Sequence, residues 1–315
     1  IMTSVADIGI VIPVIYENLI PVFADIDPET YNICPTTIEK VITSKTKAII
    51  AVHLAGNPCD LSGMKKLCEK HSLILIEDFS QAHGSSWEEK KIGSHGDMAY
   101  GSFQQSKQIT CGEGGIILTD DKELARRAFI GVDKAWQRNL PLEQRVYEFL
   151  APNLRFNALQ AAVLDPQLKR LDSLIEKKRK RADILYNILS ECAEYITPQK
   201  KLEKAKHSYY SFPLYTKSSS ERDALLQILK EKYNLYCAYG YANPLPLYLC
   251  VNALKYPEKY GKNFPYSHKR YPVGTCQNAE DLLTRSFLIP FNENFSEEDI
   301  QDIGNRVVAA SKEIF

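Results

Sequence analysis

The chain has no excess charge of either sign. Its 315 residues carry 39 Lys plus Arg against 39 Asp plus Glu, so bulk charge favours neither nucleic acid nor an anionic membrane as a partner. Long apolar runs are missing too. The longest, Ile8 to Ile15, is interrupted by Gly9 and Pro13 and is far shorter than the roughly 20 residues that span a bilayer. No signal peptide is visible, and the expectation is a cytoplasmic protein. There are eight cysteines but no Cys-x-x-Cys pair. Scattered in this way they read as free thiols in a reducing compartment, not as a disulfide framework or a zinc site, and no metal is expected. Internal repeats and low-complexity tracts are absent. A 44% hydrophobic composition leaves ample material for a large core, expected in two domains.

The stretch 72–115 organises the rest. Ser72-Leu-Ile-Leu-Ile-Glu-Asp78 contains an apolar run too short for a helix, and it reads as a strand buried on both faces of a parallel sheet. It ends in two carboxylates, Glu77 and Asp78. Open α/β sheets bind ligands beyond the carboxyl ends of their strands, so a charged residue there is a site candidate. A second strand, 99–103, carries Ser102 and then Lys107 to the same edge. Asp, Gln, Ser and Lys converging on one crevice is the set that pyridoxal phosphate needs. A lysine amine holds the cofactor covalently, and an acid keeps its pyridine nitrogen protonated. Lys107 is the candidate amine and Asp78 the candidate acid. Gln81, three residues past Asp78, is placed for the ring hydroxyl or face, and the hydroxyl and N–H of Ser102 suit the phosphate.

Strands alternate with helices of about ten residues through the first half, giving crossover units and a largely parallel sheet. Strands are expected over 21–25, 48–53 and 114–119. Helices are expected over 35–44, 61–71 and 121–129, the second capped by Asp60. Residues 133–152 read as irregular, forming a lid or a subunit contact. A long helix is expected over 157–190, open to a break at Pro166. Its run Glu176-Lys-Lys-Arg-Lys-Arg181 reads as a solvated face. A strand over 207–216 and helices over 220–232 and 296–314 complete the chain. The Pro- and Tyr-rich segment 239–274 suits either the walls of a sugar pocket or ordinary loop packing.

Asp78-Phe-Ser-Gln-Ala-His-Gly84, Gly96-Asp-Met98, and Ser102-Phe-Gln-Gln-Ser-Lys107 with Gly112-Glu-Gly-Gly115 resemble the DegT/StrS family of sugar aminotransferases. The resemblance extends upstream through Pro21-Val-Phe-Ala-Asp-Ile-Asp-Pro-Glu-Thr30 and Ala51-Val-His-Leu-Ala-Gly-Asn-Pro-Cys-Asp60. Downstream it includes Asn153-Leu-Arg-Phe-Asn-Ala-Leu-Gln-Ala-Ala-Val163. It implies an α/β protein of the pyridoxal phosphate-dependent transferase fold type I. A large cofactor-binding domain with a mainly parallel sheet would cover residues 1–165. A linking helix and a smaller α+β carboxyl-terminal domain would cover 166–315.

The implied activity is transfer of an amino group from glutamate or glutamine to a keto-sugar or keto-cyclitol, in a homodimer. The motif wording is closest to the glutamine:scyllo-inosose and aminohydroxybenzoate branch. Family dehydratases replace the lysine, so Lys107 favours amino transfer, with the released amine as general base. Asn153 matches an asparagine that reaches the phosphate from the neighbouring subunit.

Some expected parts do not match. The resemblance implies a leading segment, with a Gly-Thr element at the phosphate, before the position where this sequence starts. It also implies a ring-stacking aromatic near Thr3 to Asp7, where there is none, and an acid at the position of Ala158. These departures support a rival reading, a non-catalytic paralogue acting as a partner or regulatory subunit. The intact Asp78, Gln81, Ser102 and Lys107 oppose it. His53 and His83 are expected to serve structure, with His83 also a candidate for the pocket wall.

Overall fold

The computed structural model describes residues 1–240, 245–260 and 269–314. Its first half is built on a mixed, mainly parallel sheet. Ala48–Val52, Ile74–Asp78 and Met98–Ser102 run parallel, and Gly115–Leu118 pairs antiparallel at the far side. At the near side the backbone of Ile1 bonds to Ala48 and Ile50 at 2.7 and 2.8 Å. This attaches Met2–Thr3, which pairs parallel with Phe23–Ala24. The Asp78 strand is not buried along its whole length: Ile74 at its start is 48% exposed, while Leu75, Glu77 and Asp78 are buried. Burial grows toward the carboxyl end, where the connecting loops close over the strand.

Helix Leu61–His71 begins where Asp60 accepts the amide of Gly63 at 2.9 Å, and it buries Leu61, Met64, Leu67 and Cys68. That spacing puts one apolar stripe against the sheet. The helix expected over 35–44 stops at Glu39. Helix Lys122–Gly131 starts from Asp121, which accepts two amides of the first turn.

Helix Ala158–Leu189 runs for 32 residues straight through Pro166. A proline removes one backbone bond and crowds the preceding turn, so outside support is needed to keep the helix whole. Gln167 supplies part of it. Its side-chain amide donates to the carbonyls of Thr110 (2.6 Å) and Val163 (2.9 Å), and its oxygen accepts the amide of Thr110 at 3.0 Å. Two turns before, Gln160 donates to the carbonyl of Glu113. The helix is therefore tied to the loop that follows Lys107.

The charge run on this helix is divided by the helical period and is not all solvated. Glu176, Lys177 and Lys180 are exposed. Lys178 is only 2% exposed, and burial lowers its amine to about 8. Arg179 donates to the carbonyls of His207 (2.9 Å) and Gly84 (3.2 Å).

The second half carries a four-stranded antiparallel sheet in the order Ala238–Tyr239, Ser286–Ile289, Phe212–Tyr215, Thr197–Pro198. The long helix, Ser219–Glu231 and Glu297–Ile314 pack together in this half. Ser218 and Glu221 form a reciprocal capping box at the start of the second of these helices. Two apolar clusters result. One joins the first hundred residues to Leu247, Tyr248, Tyr271 and Leu282. The other joins Ala182, Leu214, Leu225, Phe287 and Val307. Of the Pro- and Tyr-rich segment, 241–244 and 261–268 lie outside the described residues. Tyr248 and Tyr271 are core residues, their rings 5.5 and 5.2 Å from that of Phe23.

Candidate active site

Asp78 and Glu77 are adjacent on one strand, so they point to opposite faces, and their surroundings differ. Glu77 is fully buried. Its two oxygens accept the amides of Gly93 (2.9 Å), His95 (2.7 Å) and Gly96 (2.8 Å), and one of them lies 3.3 Å from His53 Nε2. His53 Nδ1 accepts the amide of Cys59 at 3.0 Å, so its proton sits on Nε2 and faces Glu77. Burial works to raise the Glu77 carboxyl. The hydrogen bond from His53, with the amides of Gly93 and Gly96, outweighs it and brings the group down to about 2. Glu77 therefore ties the 93–96 turn to the sheet and is no longer a site candidate. His53 serves the same structural end.

Asp78 is 5% exposed and in register with Val52 on one side and Tyr100 on the other. Its carboxylate accepts the amide of Ser80 at 2.9 Å. Burial, and then Asp78 itself, push the phenol of Tyr100 well above its ordinary range. No cation pairs with Asp78 among the described residues.

Gln81 follows in the loop, and its oxygen accepts the amide of Ala55 at 2.8 Å. Ala55 adopts a left-handed conformation, φ 60°, which turns its N–H toward Gln81 and its carbonyl toward the amides of Tyr210 (2.8 Å) and Ser211 (3.5 Å). Gly84, with φ 77°, lies against Ile175 of the long helix, where a Cβ would collide. His83 is 4% exposed, between the rings of Phe79 (5.5 Å) and Phe103 (5.7 Å). Neither of its nitrogens has a hydrogen-bond partner among the described residues. Burial and the charge of Lys107 lower its imidazole to about 4.

Ser102 ends the strand next to Asp78, and its hydroxyl accepts the amide of Gln104 at 3.2 Å. A turn closed by the Lys107 amide on the Gln104 carbonyl (2.9 Å) then presents Lys107, half-buried. Its Nζ lies 5.0 Å from the centre of the Tyr210 ring, and it forms no ion pair among the described residues.

Asp78, Gln81, Ser102 and Lys107 thus stand at one end of one sheet, joined by short loops. Asn153 is not with them. It lies exposed, bridged to Asp133 in the 133–153 region. Asp133 is held well below the usual carboxylate range by Arg138 first, with Arg155 beside it.

The residues present fit pyridoxal phosphate on three observations. A buried carboxylate without a cation suits a protonated pyridine nitrogen, and a lysine without a carboxylate suits a covalently held carbonyl carbon. A buried imidazole with both nitrogens unpaired leaves room for a polar partner, since a lost buried hydrogen bond costs about 1–3 kcal/mol. Among the described residues no group of three or more His, Cys, Asp and Glu is placed to hold a metal ion.

Sequence reasoning missed Tyr210 and Ala55. The expected strand over 207–216 is confined to Phe212–Tyr215, because 208–211 bonds instead to the backbone of 55–56. No local pattern marks either residue. The only signal for Tyr210 is that Tyr209 and Tyr210 are consecutive, so in extended backbone only one of them can enter the core.

The sequence pattern of the DegT/DnrJ/EryC1/StrS aminotransferase family matches residues 1–308. The GDP-perosamine synthase of Escherichia coli O157:H7 is 32% identical over 288 residues, 90% of this chain and 71% of that protein. The L-glutamine:2-deoxy-scyllo-inosose aminotransferase of Streptomyces kanamyceticus is 38% identical over 185 residues, 56% of this chain and 43% of that protein. Among solved structures, an aminotransferase from Psychrobacter cryohalolentis superposes with a TM-score of 0.86 at 27% identity, covering 99% of this chain and 81% of that one. With its fold and sequence pattern agreeing along almost the whole length, the chain belongs to the DegT/DnrJ/EryC1/StrS family of pyridoxal phosphate-dependent aminotransferases.

Proposed function

We propose that this chain moves an amino group from glutamate or glutamine to a keto-sugar or keto-cyclitol, using Lys107, Asp78, Gln81 and Ser102, with Asn153 supplied by a second copy. The observation that carries the reading is the pairing of two lone groups at one sheet end, a buried Asp78 without a cation and Lys107 without a carboxylate. The names of the two relatives above support the substrate class, a sugar in one and a cyclitol in the other, and the second names glutamine as donor.

When bound, pyridoxal phosphate supplies an electron sink that stabilises negative charge beside the transferred nitrogen. The chain's own residues do the rest. Asp78 would keep the proton on the pyridine nitrogen. Lys107 would hold the cofactor through its Nζ and, once freed by the incoming donor, its amine would carry the proton from one carbon to the other. Gln81 is fixed by Ala55 on its oxygen, which leaves its amide N–H groups to orient the ring. Ser102 offers a hydroxyl and an N–H to the phosphate.

Exposed Asn153 suits a contact made outside its own subunit, in keeping with a homodimer. A division into a cofactor-binding domain, 1–165, and a linking helix with small domain, 166–315, belongs to the same proposal. The two apolar clusters support it, with Leu247, Tyr248, Leu254, Tyr271, Leu282 and Leu283 crossing back onto the first.

The test is spectroscopic. Protein supplied with pyridoxal phosphate should develop a visible absorbance band that borohydride removes, with the reduced adduct on Lys107 by peptide mapping. Protein without such a band would fit the non-catalytic paralogue instead. Labelled glutamine and glutamate offered with keto-cyclitols and nucleotide keto-sugars would then identify donor and acceptor.

A further inference from the structure

Tyr209 and Tyr210 are neighbours with opposite fates. Tyr209 has φ 52°, is 2% exposed, and stacks on His207 at 4.0 Å. The left-handed turn at Tyr209 sends Tyr210 the other way, over the lysine loop. There it makes three connections. Its ring faces Lys107 Nζ at 5.0 Å, within cation–π range. Its hydroxyl lies 3.1 Å from that of Ser106, which donates to Gln104 Oε1 at 2.7 Å, and the Gln104 amide in turn reaches Ser102. Its amide bonds to Ala55, the residue that also holds Gln81. A residue 103 positions from Lys107 thus touches Lys107 and braces Gln81 and Ser102.

We propose that Tyr210 is a positioning residue for Lys107, its ring face holding the lysine ammonium whenever that lysine is not attached to the cofactor. The inference rests on the role assigned to Lys107 above. In amino transfer the lysine must leave the cofactor, wait, and come back. A carboxylate partner would hold the ammonium too firmly, and open water would let the chain wander through its rotamers. An aromatic face is an intermediate choice, strong enough to bias the position and weak enough to release it. The contact exists only in the free-lysine state, so it shifts the balance toward release by its own strength.

The experiment uses cofactor-free protein at fixed pH and follows acetylation of individual lysines by mass spectrometry in wild type, Tyr210→Phe and Tyr210→Leu. Lys107 should react about twofold to thirtyfold faster in Tyr210→Leu, the span of a cation–π contact from exposed to desolvated. In Tyr210→Phe, which keeps the ring, it should stay within about twofold of wild type. Covalent attachment of pyridoxal phosphate should become more favourable in Tyr210→Leu by the same factor.

Equal Lys107 rates in all three proteins would overturn the proposal, as would a Tyr210→Phe protein that behaves like Tyr210→Leu. Buried Lys178 reports on general loosening, and a parallel rise in its acetylation would overturn it as well. Borohydride reduction of loaded wild type separates this from the underlying reading. An adduct on a lysine other than 107 removes the site assignment itself, whereas an adduct on Lys107 with rates indifferent to Tyr210 removes only the role of Tyr210.

Discussion

Replacing Glu77 by Gln should destabilise the protein heavily although volume and shape barely change. The two carboxylate oxygens accept four donors, the amides of Gly93, His95 and Gly96 and the Nε2–H of His53. A glutamine offers one oxygen and an NH2 group. Whichever way it turns, two of the four donors meet another donor in a site without water access. Each lost buried hydrogen bond costs about 1–3 kcal/mol, so two of them cost roughly 2–6 kcal/mol. At about 2 °C per kcal/mol for a chain of this length, the melting temperature at pH 7 should fall by roughly 4–12 °C.

The pH dependence gives an independent check. The Glu77 carboxyl sits at about 2 in the folded protein against 4.5 for a free glutamate, so its contribution is complete above about pH 4.5 and is lost as pH falls toward 2. Its size is about 3 kcal/mol. Calorimetric melts of wild type and Glu77→Gln from pH 7 to pH 2 should therefore converge on the acid side. A variant melting within about 2 °C of wild type at pH 7, or two curves that stay parallel down to pH 2, would refute this account of Glu77.

Other consequences can be measured separately. The His83 imidazole lies at about 4 when folded against 6.5 for a free histidine, so the unfolded chain takes up its proton first and stability falls between about pH 6.5 and 4, by up to about 3 kcal/mol. His83→Leu should lose that component of the acid limb, while buried His207, held neutral in the same way, keeps its own; acid limbs that superimpose after a constant offset would contradict this. If Asn153 serves the site of a second copy, Lys107→Ala and Asn153→Ala proteins, each inactive or nearly so alone, should regain about a quarter of wild-type amino transfer when refolded together in equal amounts, since half the dimers are mixed and each has one intact site. No recovery on mixing, with subunit exchange shown by native mass spectrometry, would place Asn153 outside the partner's site.

The legibility of this chain in its sequence varied with how local the physics was. Asp60 marked a helix start because a cap is settled within four residues. The apolar run ending at Asp78 marked a strand because its length and boundaries are local too. Glu77 could not be told from Asp78, since both end the same strand and only the fold shows that one faces the 93–96 turn and the other the open edge. Pro166 invited a break that the fold prevents, through Gln167 and the Thr110 loop, 57 residues away in the chain.

The sequence by itself determined the alternation of strands and helices and the presence of an acid, an amide, a hydroxyl and an amine at spacings suited to one cofactor. Those follow from periodicity and from loops too short to carry the groups far apart. Tertiary structure alone decided that Glu77 holds the sheet together, that His83 is left with two unpaired nitrogens, and that a tyrosine from the second half covers Lys107. No local pattern announces the contacts behind them: Glu77 with His53 and the 93–96 turn, His83 with Phe103, and Tyr210 with Lys107, where the 55–56 and 208–211 backbones bond to one another.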